Sequence, residues 1–270
     1  MISQWGNYDK IIYQMILTRL GNKRQYAKAI YKHFPLHKMR IDLFFGAGGM
    51  FFYTPKSQYN ILNDLDNDVT NLFLVLKERK NELYRNIELL PITSSLVSYW
   101  KENIETDPLQ KAIRFIFLSN FTYLGKRNTL RLGLDNTKIN LLNRIEPTFE
   151  ALKDVKITNY DFRAVLDKIS FSKTVLDKSI AFVYLDPVYL DTSHYYKVPN
   201  WKEKDSIDCF DIMSNSGINC AMSEFSHPFI IKEAEKRGFN IIPIKERQNI
   251  KNRKTEILIT NYQKNQRTLF

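Results

Sequence analysis

Short apolar runs alternate along this chain with longer stretches in which apolar residues recur every three or four positions. Residues 39–45, 59–63, 155–158, 180–185, 218–223, 239–244 and 256–262 are the short runs, rich in β-branched and aromatic side chains, and they predict seven strands. Helical spacing falls on residues 15–20, 27–34, 67–85, 109–121 and 228–237. The last of these carries Pro228 in its first turn and Gly238 as its stop. Strands alternating with helices predict an α/β fold, a mostly parallel sheet covered on both faces. A ligand then belongs at the carboxyl ends of the strands. The sequence has no internal repeat and no low-complexity linker.

Chemistry-bearing residues sit at those ends. Asp186-Pro187-Val188-Tyr189 follows the run 180–185: a carboxylate, a proline that fixes the turn, and a ring three positions on. Together they form a socket for a flat base with an exocyclic amine, which has to leave its stack to be reached. Asp186 is the amine acceptor in that reading and Tyr189 the stacking ring; a plain strand stop with a capping aspartate is the simpler alternative. Asp42-Leu43-Phe44-Phe45-Gly46-Ala47-Gly48-Gly49 reads as a strand and a tight glycine turn, where backbone can approach a ligand closely. The next strand ends in Asn63-Asp64-Leu65-Asp66, which offers Asp64 to a ribose hydroxyl pair. Asp64 could instead cap the helix that follows. No further glycine completes a pyrophosphate fingerprint, so a nucleoside cofactor smaller than a dinucleotide fits the loop better.

Composition narrows the partner. With 270 residues, 44% of them hydrophobic, the chain can bury one large core. Forty Lys and Arg against 29 Asp and Glu give a net charge of +11, a balance suited to a polyanion. Residues 91–147 read as an inserted module, with basic, polar and aromatic residues gathered between Asn120 and Arg131. There Lys126, Arg127, Thr129 and Arg131 suit phosphates and base edges, and Tyr123 or Leu124 suits a wedge filling the space of a displaced base. A solvated basic loop is the plainer reading. Arg247, Lys251, Arg253 and Lys254 form a second basic stretch, which a simple exposed turn would also explain. Cys209 and Cys220 have no metal-ligand spacing, so ordinary reduced thiols and no metal are expected. The polar start and the lack of an apolar run of ~20 residues predict a cytoplasmic protein with no membrane partner.

These motifs, in this order, resemble the Dam-type family of adenine-N6 DNA methyltransferases. Leu20-Gly21-Asn22-Lys23 is similar to the family's amino-terminal motif, and the resemblance implies that Gly21 and Lys23 hold the methionine end of S-adenosylmethionine. It implies that Phe44, Gly46 and Gly48 form the cofactor loop, Asp64 binds the ribose, and Asp161 and Phe162 in Asn159-Tyr160-Asp161-Phe162 border the cofactor's adenine. Asp186, Pro187 and Tyr189 become the catalytic residues, with Asp186 also reaching the cofactor. The basic stretch from Arg247 and the terminal run 255–261 complete the likeness. A Rossmann-like methyltransferase fold follows: a catalytic part in residues 1–90 and 148–270, and a target-recognition module in 91–147. The implied activity is site-specific methylation of the adenine amine in double-stranded DNA by a monomer or weak dimer, with a cognate restriction endonuclease as a further partner. Two positions depart from the pattern. Val188 replaces a proline and loosens the socket, and Arg19 replaces an aromatic. A homologue that only binds DNA, and an amine methyltransferase acting on RNA, therefore stay open.

Overall fold

The central strands of the sheet are buried on both faces. Along β1 (Met39–Asp42), Met39 and Ile41 join an apolar core, while Arg40 and Asp42 belong to the other face. The remaining strands are β2 (Tyr59–Asn63), β3 (Val155–Thr158), β4 (Ala181–Leu185), β5 (Asn219–Phe225), β6 (Asn240–Asn249) and β7 (Asn252–Thr260). Strands β1 and β4 are buried at every position and β5 at all but its first. A computed structural model describes residues 15–17, 21–133, 136–171, 177–190, 201–249 and 252–263. The described helices of four residues or more are α1 (Ala27–Tyr31), α2 (Asn67–Glu78), α3 (Lys80–Leu89), α4 (Ser94–Glu102), α5 (Pro108–Asn120), α6 (Thr137–Leu152), α7 (Phe162–Val165), α8 (Glu203–Asn215) and α9 (Pro228–Lys236).

The seven strands run in the order β3-β2-β1-β4-β5-β7-β6. Strands β2, β1, β4 and β5 are parallel, with Met39 opposite both Tyr59 and Ala181. Strand β7 is antiparallel to β5 and to β6. The expected α/β architecture with a mostly parallel sheet is therefore present.

Compactness divides the chain into two units. The first comprises residues 1–24, 46–56 and 66–159; the second comprises 25–45, 57–65 and 160–270. In the second unit, one sheet face buries Ile41, Val183, Leu185, Cys220 and Met222 against Cys209, Phe210 and Met213 of α8 and Ile230 and Ala234 of α9. On the other face Arg40 lies 2.7 Å from Asp42, with its guanidinium 5.4 Å from the Phe34 ring centre. Burial pushes the Asp42 carboxyl up and the Arg40 charge pulls against it. In the first unit α2 packs on α5 and α3 on α6. Side chains cap helix starts: Asp66 accepts from Asp68 N at 3.0 Å, Thr93 from Leu96 N at 3.1 Å, and Asp107 from Gln110 N at 2.9 Å just before Pro108.

Several boundaries differ from the sequence expectation. The helix expected over 67–85 is two helices broken at Arg79, whose φ of −131° leaves the helical region. Residues 15–17 have no helical conformation, and 18–20 lie outside the described residues. Helix α1 stops at Tyr31, four residues before Pro35. Pro147, taken as the edge of the insert, lies inside α6. Strand β1 ends at Asp42, short of the expected 45, although Leu43 N and Phe45 N still donate to Tyr184 O and Asn63 O. Strands β6 and β7 extend through polar residues to the pair Asn249 and Asn252, since a hairpin ladder satisfies backbone groups whatever the side chains.

Candidate active site

Three loops of the second unit meet through one side chain. Asn63 ends β2 with only 1% of its surface exposed. Its Nδ2 donates to Leu43 O at 3.1 Å and to Tyr160 O at 2.9 Å, and its Oδ1 accepts from Tyr160 N at 2.9 Å. The Phe45 N–H completes the tie by donating to Asn63 O at 2.8 Å. This brings the loop after β1 and the segment before α7 beside Asp64, which is half-buried. The cap of α2 is Asp66, so Asp64 is not used as a cap.

The same loops gather aromatic rings. Phe44 lies 5.0 Å from Phe162 and 5.6 Å from Trp201, and Phe162 lies 5.6 Å from Trp201 (ring centres). Trp201 was not legible as a site residue; its one sequence signal is an aromatic placed just ahead of a helix. Arg163 fixes the surroundings of this cluster. Its guanidinium lies 4.3 Å from the Phe162 ring centre, donates to Asp208 at 2.6 Å, and also pairs with Asp205 and Asp161. Asp161 accepts from Arg163 N at 3.0 Å as the cap of α7. The Asp161 carboxylate thus holds local structure, with the Phe162 ring next to it in the chain.

Beyond β4 the chain enters the Asp186–Tyr189 turn. Asp186 and Val188 are half-buried, and Pro187 and Tyr189 are buried. The Tyr189 hydroxyl donates to the Glu256 carboxylate, and the ring meets Phe225 edge-on, with centres 4.7 Å apart and planes at 81°. The next residue is tied as well: Leu190 N donates to Glu224 Oε1 at 3.0 Å, while Glu224 Oε2 accepts from Phe225 N at 2.6 Å. Tyr184 Oη lies 2.7 Å from Ser223 Oγ. Burial, then the Asp186 charge, pushes the Tyr184 and Tyr189 phenols well above their ordinary range. Both stay protonated, and Tyr189 serves as a donor. The sequence did not reveal Glu224 or Glu256, because an acid inside a strand carries no periodic signal of its own.

In the first unit, Lys23 is buried and its Nζ reaches Gly21 O at 3.4 Å. Gly46 and Gly48 have φ of +55° and +75°, which side chains disfavour. Gly49 is constrained differently, since a Cβ there would stand 2.0 Å from Asn22 Oδ1. The loop after α5 is closed by Tyr123 N donating to Thr129 O at 2.9 Å and Arg131 N donating to Phe121 O at 2.8 Å. Tyr123, Lys126, Thr129 and Arg131 are exposed on it. Arg127 differs. With φ of +64° it turns back, its guanidinium 5.0 Å from the Phe115 ring centre and 4.0 Å from Asp68, and Arg131 donates to Thr137 Oγ1. On the β6–β7 hairpin of the second unit, Arg247 stands opposite Lys254 and Arg253 opposite Gln248. Lys251 lies outside the described residues. Cys209 and Cys220 are free and buried, and burial raises the Cys220 thiol to about 12.

A mostly parallel sheet with an acid-proline turn after β4 and an aromatic cluster after β1 places this chain among doubly wound α/β proteins. The family model for D12 class N6 adenine-specific DNA methyltransferases matches residues 20–259, and the chain belongs to that family. A DNA adenine methylase of Salmonella typhi is 32% identical over 111 residues, 39% of this chain and 40% of that protein. One from Escherichia coli K12 is 30% identical over the same shares. The match therefore spans about two fifths of the length of these curated relatives. Among solved structures, SMU.1697c of Streptococcus mutans in complex with SAH aligns at a TM-score of 0.40 and 8% identity, over 88% of this chain and 97% of that one. Trm5b from Pyrococcus abyssi aligns at 0.35 and 10%, over 88% and 48%. No described helix is long and apolar enough to cross a membrane.

Proposed function

We propose that this protein transfers the methyl group of S-adenosylmethionine to the exocyclic N6 amine of a flipped adenine in double-stranded DNA. The observation that carries the reading is the Asp186–Tyr189 turn at the end of β4, in a chain whose family is defined by adenine N6 chemistry. When bound, S-adenosylmethionine supplies an electrophilic methyl. The residues present fit its nucleoside: the Phe44, Phe162 and Trp201 rings match an adenine, and Asp64 at the end of β2 suits ribose hydroxyls. Asp161 frames that group, while Gly21, Lys23, Gly46 and Gly48 carry the family's cofactor motifs in the first unit.

The target amine is a weak nucleophile because its lone pair is delocalised into the ring. Hydrogen bonds from its two hydrogens to the Asp186 carboxylate and the Pro187 carbonyl draw that lone pair out of conjugation. They also stabilise the positive charge that develops on nitrogen. Tyr189 fixes the ring for in-line attack. No metal enters this account. Exposed Tyr123, Lys126, Thr129 and Arg131 suit DNA contact in the loop after α5, together with Arg127 once it leaves Asp68. Arg247, Lys251 and Arg253 form the second contact stretch. Residues 91–147 act as the target-recognition module of a catalytic domain comprising 1–90 and 148–270, working as a monomer or weak dimer in the cytoplasm. A cognate restriction endonuclease is the partner this activity would protect DNA against.

Sequencing modified bases in DNA from cells expressing the chain tests the proposal. N6-methyladenine confined to one short sequence motif is the expected result. DNA bound but unmodified would mean a binding module, and methyl groups found only in RNA would mean a different substrate.

A further inference from the structure

We infer that Asn63 is a positioning residue that sets the cofactor's nucleoside pocket while touching neither cofactor nor DNA. The inference rests on the methyltransferase reading above. Asn63 uses both ends of its carboxamide between two loops: two donated bonds, to Leu43 O at 3.1 Å and Tyr160 O at 2.9 Å, and one accepted from Tyr160 N at 2.9 Å. No hydrophobic residue of that shape replaces this pattern, because the two carbonyls need donors and the one N–H needs an acceptor. The flanking residues make the pairing consequential. Leu43 precedes Phe44, Tyr160 precedes Asp161 and Phe162, and Asp64 follows Asn63 itself. One buried amide thus fixes the spacing of the Phe44 and Phe162 rings, 5.0 Å apart, and the backbone from which Asp64 projects.

A framework residue and a positioning residue differ in what their loss disturbs. Without the carboxamide the two loops are free to separate, so the pocket has to be reassembled when the cofactor binds. That cost falls on cofactor affinity. The Asp186–Tyr189 turn is held by other groups, Glu224 and Glu256, and keeps its geometry.

The experiment compares the full-length parent with Asn63→Ala and Asn63→Ser. S-adenosylmethionine affinity is measured by calorimetry, duplex DNA affinity by titration, and single-turnover methylation at saturating cofactor, all well below the melting temperature of each form. The expected result is a cofactor Kd raised tenfold or more in Asn63→Ala, about 1.4 kcal/mol. DNA affinity and the saturated transfer rate should stay within about threefold. Asn63→Ser, which keeps an oxygen able to accept from Tyr160 N, should fall between. A cofactor Kd unchanged in folded Asn63→Ala overturns the inference and leaves the methyltransferase reading intact. Parallel losses of DNA binding and saturated rate, or failure of both variants to fold, overturn it too, because Asn63 would then be framework. A parent that does not bind S-adenosylmethionine overturns the proposed function and this inference with it.

Discussion

Tyr189→Phe separates the proposed stacking role of the ring from the structural role of the hydroxyl. The ring is 7% exposed and edge-on to Phe225, and its hydroxyl donates to the buried Glu256 carboxylate. The substitution keeps the ring and its aromatic pair, worth roughly 0.5–1.5 kcal/mol, and deletes a hydrogen bond to a charged acceptor, worth roughly 1.5–3 kcal/mol. Unfolding free energy should therefore drop by about 1.5–3 kcal/mol, read from the denaturant midpoint at constant m-value. Single-turnover transfer should stay within about threefold, because the stacking face is unchanged. Tyr189→Ala removes the ring. Its stability loss should be about 3–5 kcal/mol, and the missing stack, about 1–3 kcal/mol per base, should slow transfer by roughly 5- to 150-fold. Transfer slowed more than tenfold by Tyr189→Phe at unchanged stability would refute this reasoning. The hydroxyl would then act on the reacting base rather than hold the ring.

Asp186→Ala should keep the fold and DNA affinity while transfer falls by about 10²–10³, or 2.7–4 kcal/mol; turnover within tenfold of the parent in a radiolabel assay would remove Asp186 from the chemistry. Asp64→Ala should weaken S-adenosylmethionine binding by calorimetry and leave DNA binding unchanged, since its target is a ribose. Val188→Pro, which restores the family's usual residue, should raise methylation about two- to fivefold if it stiffens the turn by ~0.4–1 kcal/mol. Slower transfer with a lower melting temperature would instead mark Val188 as adapted to this site. Thermal stability should fall as pH rises above about 9. Burial raises Cys220 from 9.0 to about 12, and raises Cys209, Tyr184 and Tyr189 well above their ordinary values. These groups stay protonated when folded and ionise when unfolded, so the unfolded state binds fewer protons there. Each costs up to ~1.4 kcal/mol per pH unit between its two values. A melting temperature constant from pH 8 to about 10.5 would contradict that burial.

How much of this could be read from the chain depends on whether a feature is local. Strands β2 and β3 fall where their apolar runs predict, and α5 and α9 where spacing and proline predict. Each feature is written within about ten consecutive residues. The break at Arg79 has no glycine or proline to announce it, and Pro147 sits in a helix that tertiary packing sustains. The site divides the same way. Phe44, Asp64 and Asp186 were legible because a residue at the end of a buried strand is placed by that strand. Asn63, Trp201, Glu224 and Glu256 were not, since each matters through partners distant in the chain. Arg127 shows the same limit: a basic residue in a basic loop reads as a DNA contact, while the turn of its guanidinium onto Phe115 and toward Asp68 has no signal in the sequence.

The most direct test is nucleoside analysis of unmethylated duplex DNA after incubation with the purified chain and methyl-labelled S-adenosylmethionine. The expected result is label in N6-methyladenine alone, reduced by about 10²–10³ when Asp186 is alanine. Label in methylated cytosine, or no label from a protein that binds both DNA and cofactor, would contradict it.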